Sequence, residues 1–295
     1  RVLAEVYRAV RAGLDAAGFR DLPLVGPGHL CAWQFPPSDF LAAGVDPSPH
    51  LGAWDLHAYF YRPDWFSEPV EDFPSTHDFL QLTIRRMVDL ARRQQKPFFI
   101  TELGSFFYGR PFWGERDFET LGSHSAAILD AQFIVRALNE GVDGFCRWAW
   151  CVNRTVDGRW SLAEWEGRDR ITPSPNVFPV YRALMNAVRP RAEVCALRNS
   201  CSAGHRPRVH AAAVHNPDGG RAVVLVHDQP GRNADVLLDF PPSWAGRTLR
   251  RTITDEMRKG APAPALVVPP EAPHTAELMV TPYSVTVLDE APGPA

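Results

Sequence analysis

The stretch Pro97-Phe98-Phe99-Ile100-Thr101-Glu102-Leu103-Gly104 decides how this chain is read. Its apolar run fits a strand buried on both faces, as in a parallel sheet covered by helices. The run ends abruptly in a carboxylate and a glycine. Carboxylates are poor guests inside such strands, whereas the C-terminal ends of barrel strands are where catalytic groups stand. Glu102 is therefore a candidate catalytic residue. The structural alternative is a strand-end carboxylate that caps the next element or pairs with an arginine.

Upstream of this strand, Phe79, Leu80, Thr83, Met87, Leu90 and Ala91 recur at helical spacing and predict a helix from Ser75 or Thr76 to about Gln95. Before it, Trp54-Asp55-Leu56-His57-Ala58-Tyr59-Phe60 reads as another strand. Residues 62–76, with Trp65 and Phe66 among three prolines, read as an aromatic loop with the composition of a binding rim. Further back, Leu22-Pro23-Leu24-Val25 is a short strand running into the turn Gly26-Pro27-Gly28. Val2, Val6, Val10 and Leu14 place a helix over residues 2–17 with one buried face. Downstream come a second aromatic loop holding Phe112 and Trp113, a helix over 123–139, a strand from Phe145 to Val152 and a helix over 177–188. Alternating strands and helices imply a parallel α/β sheet. Long aromatic loops follow the strands and short connections precede them, so the functional face lies at the strand C-termini.

After Pro190 the pattern changes to about seven short strand candidates separated by turns such as Asn216-Pro217-Asp218-Gly219-Gly220, which argues a β-sandwich. The 295 residues allow about two domains. A net charge of −3 points to no nucleic-acid or membrane-surface partner. No apolar run approaches the ~20 residues of a membrane span. The five cysteines form no CxxC pair, and Cys195 and Cys201 either bridge a short loop or are free buried thiols. His205, His210, His215 and His227 share no ligand spacing, and Gly26-Pro27-Gly28 lacks the ending of a phosphate-binding loop. No metal and no cofactor is expected.

Period-two alternation puts His57 and Tyr59 on one strand face, and Trp148 and Trp150 on another. With Glu102 they can project into one mouth. In this order the residues resemble the C-terminal half of a clan A glycoside hydrolase, the retaining (β/α)8-barrel group that includes families 5, 30 and 39. Ile100-Thr101-Glu102 is similar to the end of that group's seventh strand and His57-Ala58-Tyr59 to the His-x-Tyr of its sixth. Trp148, or failing it Trp150, is similar to the tryptophan of the eighth, and Gly26-Pro27 to the end of the fifth. The phrase from Thr281 to Leu288 looks like the last strand of the sandwich appended to several members. The resemblance implies an α/β fold made of strands 5–8 of a TIM barrel over residues 1–189, an all-β sandwich over 190–290 and a tail over 291–295. It also implies retaining hydrolysis of β-glycosidic bonds in poly- or oligosaccharides. Glu102 would be the nucleophile, supported by Tyr59 and His57, with Trp148 and Trp150 against the sugar and Trp65 and Trp113 as further substrate-binding residues.

Retaining hydrolysis needs a second carboxyl group ~5 Å from the first, to protonate the leaving oxygen. In the resembled group it belongs to an Asn-Glu pair at the end of the fourth strand. No Asn-Glu occurs before Leu22, Glu5 lies inside a helix, and Asn139-Glu140 ends one. The expectation is a fragment without the N-terminal half of the barrel and its acid/base residue, inactive alone. The rival expectation is a non-catalytic carbohydrate-binding protein or pseudoglycosidase using the same aromatic cleft. A third places glycan binding in the sandwich.

Overall fold

The computed structural model describes residues 2–26, 28, 47–61, 74–106, 124–147, 149–153, 161–166, 170–198, 200, 209–229 and 231–290. Strands β1 (Val25–Gly26), β2 (Ala53–Tyr61), β3 (Phe98–Phe106) and β4 (Gly144–Arg147) lie in chain order in one parallel sheet. Parallel neighbours require crossovers. Helix α1 (Val2–Ala16) precedes β1, α2 (Pro74–Arg93) joins β2 to β3, and α3 (His124–Glu140) joins β3 to β4. The apolar character of the strands follows from this layering, since Leu56, Ala58, Ile100 and Leu103 are completely buried, and Ile84 and Met87 of α2 are buried with them.

The chain divides into two compact units, residues 1–109 with 140–148, and residues 110–139 with 149–295. Within the first, the turn into β4 is pinned to β3. Phe98 N donates to Asp143 Oδ2 at 2.8 Å and Asp143 N donates to Phe98 O at 2.9 Å. Arg85 of α2 grips Glu140 with two bonds of 2.5 and 2.7 Å.

The second unit holds a three-stranded sheet of β5 (Cys151–Asn153), β6 (Ala163–Glu166) and β7 (Arg170–Pro173), then α4 (Phe178–Ala187). The remaining strands are β8 (Glu193–Cys195), β9 (Val209–His215), β10 (Arg221–His227), β11 (Ala234–Asp239), β12 (Thr248–Thr254), β13 (Lys259–Val267), β14 (Thr275–Val280) and β15 (Ser284–Glu290). Six of them form an antiparallel sheet ordered β13-β12-β15-β10-β9-β8, and β11 pairs with β14. Val223, Leu225, Leu249 and Leu288 of the larger sheet share one core with Leu278 and Val280 of the ribbon and with Phe240 and Trp244. Helix α4 packs against β10, β12, β13 and β15.

Several sequence expectations are corrected. Residues 145–152 are not one strand. β4 ends at Arg147, and the carbonyls of Ala149 and Trp150 accept from Leu162 N and Ala163 N, which draws the chain into the β5–β7 sheet. β6 and β7 are only four residues each, too short to set up a strong alternating pattern. β13 runs through Pro262 and Pro264, which it tolerates as an edge strand. Helix α1 leaves Val6 50 % and Val10 44 % exposed rather than buried. The edge strand β1, two residues long, offers it little surface. Cys195 is a free thiol, and Cys201 lies outside the described residues.

Candidate active site

β2 and β3 run side by side, Trp54 opposite Phe98, Asp55 opposite Phe99 and Leu56 opposite Ile100. The next pair is His57 with Glu102, so β3 carries one extra residue at Thr101. β4 registers the same insertion, pairing Ile100 with Phe145 and Leu103 with Arg147. Such a β-bulge bends its strand and re-aims the side chains beside it. In a regular strand consecutive side chains point to opposite faces. Here Thr101 and Glu102 both reach the face of Asp55 and His57. Thr101 Oγ1 donates to Asp55 Oδ2 at 2.7 Å, and Glu102 Oε2 lies 3.2 Å from His57 Nδ1.

Asp55 sits at the closed end of this face, 5 % exposed, and its Oδ1 accepts from the Gly28 amide at 2.6 Å. One carboxylate therefore ties the segment after β1 to β3. A buried carboxylate needs such donors to offset its lost hydration. The Tyr7 phenol of α1 stands where a side chain on Gly26 would go. Burial, and after it the charge of Asp55, push that phenol above its ordinary pKa. Further along the same face the side chains of His57 and Glu102 keep 15 % and 24 % exposure. The His57–Glu102 approach is close without hydrogen-bond alignment, leaving Nδ1 of His57 buried.

Arg147 completes the arrangement. Its Nη1 donates to Leu103 O at 3.1 Å and lies 2.5 Å from where a Cβ on Gly104 would be. Gly104 follows Glu102 by two residues, so that vacated position is on the Glu102 side of the strand. A side chain at Gly104 would have to push the guanidinium aside. The face thus presents a partly exposed carboxylate, an imidazole and a guanidinium on rigid strands, a setting suited to nucleophilic or acid–base chemistry on a polar substrate. Among the described residues no group of three or more His, Cys, Asp or Glu is arranged to hold a metal ion. None of the described helices is long and apolar enough to cross a membrane.

Of the candidates from sequence, the structure brings His57 and Glu102 together. Tyr59 is opposite Gly104 in the β2–β3 register. Trp65, Trp113 and Trp148 lie outside the described residues. Trp150 is not on β4; it belongs to the second unit and is 59 % exposed. Asp55, Thr101 and Arg147 were missed as site residues. Asp55 carries a signal in hindsight, a carboxylate two residues before His57 and hence on its face. The bulge that recruits Thr101 has none.

No protein-family model matches the chain, and no curated protein matches it. Solved structures do. The catalytic domain of the GH30 xylanase C from Talaromyces cellulolyticus superposes with a TM-score of 0.61 at 14 % identity, covering 98 % of this chain and 56 % of the other. The glycoside hydrolase family 30 subfamily 8 xylanase from Clostridium acetobutylicum gives 0.64 at 12 %, covering 98 % and 61 %. A family 51 alpha-L-arabinofuranosidase from Bifidobacterium longum gives 0.65 at 12 %, covering 98 % and 63 %. The chain therefore spans less than two thirds of the length of each of these structures. In fold it is similar to clan A glycoside hydrolases, the group its strand-end residues resemble.

Proposed function

We propose that this chain is the nucleophile-bearing part of a retaining glycoside hydrolase acting on poly- or oligosaccharides. The observation that carries the reading is the meeting of Glu102 with His57 on adjacent parallel strands, in a fold similar to that of xylanases and arabinofuranosidases. On this reading β1 to β4 are strands five to eight of the barrel, and β8 to β15 build the appended sandwich. Tyr59, Trp148, Trp150, Trp65 and Trp113 are proposed as substrate contacts or supports.

The chemistry then runs in two displacements. A carboxylate oxygen of Glu102 attacks the anomeric carbon, and the glycosidic C–O bond breaks with its electron pair leaving on the aglycone oxygen, which takes up a proton. Water afterwards attacks the glycosyl ester, releasing the sugar and restoring Glu102. His57 and the Arg147 guanidinium orient the carboxylate and the sugar hydroxyls around it. None of the described residues is assigned as the proton donor. Glu140, of the chain's Asn-Glu pair, is not a candidate, because both its oxygens are engaged by Arg85 at the end of a helix.

An activated leaving group removes the need for that donor, because a dinitrophenolate departs unprotonated. The chain should turn over a dinitrophenyl xyloside or arabinofuranoside, two sugars chosen from the names of its structural neighbours. Glu102→Gln should lower the rate by roughly 10³-fold or more with the circular dichroism spectrum unchanged. Equal turnover by the variant contradicts the nucleophile assignment. Oligosaccharide binding without turnover of either glycoside marks a carbohydrate-binding protein instead.

A further inference from the structure

We propose that Asp55 is a positioning residue for Glu102, acting through the Thr101 hydroxyl to hold the bulge that turns the carboxylate onto the His57 face. The inference rests on the reading of Glu102 as nucleophile. Thr101 is the residue that the β2 pairing skips, the β4 pairing carries one extra β3 residue between Ile100 and Leu103, and the Thr101 hydroxyl donates to Asp55 Oδ2 at 2.7 Å. The Gly28 amide, 2.6 Å from Oδ1, fixes the carboxylate so that Oδ2 faces β3.

The consequence of losing the bulge follows from register. Without the extra residue, Leu56 opposite Ile100 would be followed by His57 opposite Thr101 and Ala58 opposite Glu102. A shift of one residue carries a side chain to the other face of a sheet. Glu102 would then share the side of Ala58, which is completely buried. The bond from the Thr101 hydroxyl to the buried Asp55 carboxylate anchors the extra residue where the bulge places it. A carboxylate that only stapled the segment after β1 would have no use for Thr101.

The test compares Thr101→Val, which keeps the shape and removes the hydroxyl, with Thr101→Ser, which keeps the hydroxyl. The protein is incubated with a dinitrophenyl glycoside whose sugar carries fluorine beside the anomeric carbon, so that the glycosyl ester on Glu102 accumulates. At saturating probe the valine variant should be trapped about 10²-fold more slowly, since small misplacements of a reacting group cost that much. The probe concentration for half-maximal rate should change by no more than about twofold, the signature of lost orientation rather than lost binding. Thr101→Ser should restore the rate. Equal rates for valine and wild type overturn the proposal, and so does a serine variant as slow as the valine one, which marks a packing role. If the wild type takes no label, the nucleophile reading has failed, and a crystal structure of Thr101→Val decides the positioning alone. Glu102 opposite Ala58 supports it, and Glu102 still opposite His57 overturns it. Asp55→Asn, read by the same two measurements, serves if the valine variant does not fold.

Discussion

Glu102 and His57 meet because two adjacent parallel strands carry them side by side, and the presence of those two strands was legible in the sequence. Apolar runs reaching Glu102 and His57-Ala58-Tyr59 announce the strands, which run on to Phe106 and Tyr61 instead of ending at these residues, and alternation assigns faces. The 3.2 Å between Glu102 and His57 depends in addition on Thr101 being an extra residue. A bulge belongs to the pairing of strands and leaves no mark in one strand's own pattern, so Thr101 and its bond to Asp55 were invisible. Arg147 was hidden for a related reason, because its path over β3 depends on which residue lies beside it. At this scale His57→Gln should slow turnover of the activated glycoside by about 10²-fold, in the range of a positioned acid–base or orienting group. Steady-state kinetics across pH checks it, and an unchanged rate removes His57 from the site.

The elements show where pattern reading holds and where it gives way. The central strands and the four described helices were found close to their observed limits, because long periodic segments leave strong signals. The failures lie at partners and edges. Residues 145–152 read as one strand from composition alone, yet their backbone is divided between β3 and the segment around Leu162. Pro262 and Pro264 masked β13, whose edge position makes them harmless. Packing of α1 against β1 gives a test. An alanine at Gly26 would meet the Tyr7 ring, so Gly26→Ala should cost about 1–3 kcal/mol of stability, as overpacked sites do. Urea unfolding reads the change, and an unaltered midpoint would show that the Tyr7 contact is not rigid.

Across the whole molecule the contacts gather into two compact units, and in the second α4 adds its buried Val180, Tyr181 and Leu184 to the antiparallel sheet. In the second unit Tyr181 Oη donates to the buried Asp130 at 2.8 Å. Tyr181→Phe should cost about 1–3 kcal/mol in the same urea assay, the range for exposing a buried acceptor's lost bond. His124, 6 % exposed with Nε2 donating to Tyr283 O at 2.8 Å, has its pKa lowered chiefly by burial. Below its ordinary value of 6.5 the unfolded chain takes up a proton there that the folded chain refuses. Unfolding then binds more protons, so this contribution to stability is full above that pH and falls as pH drops toward the folded pKa. Thermal melts of His124→Gln against wild type should show a shallower acid loss in the variant, and parallel curves would contradict the assignment.

The central claim is that Glu102 is the group that becomes glycosylated. Intact mass and peptide mapping of the protein after reaction with the fluorinated dinitrophenyl glycosides test it most directly. The account predicts one sugar per chain, on the peptide containing Glu102 and absent from Glu102→Gln. No adduct, or an adduct on another carboxylate, would contradict it.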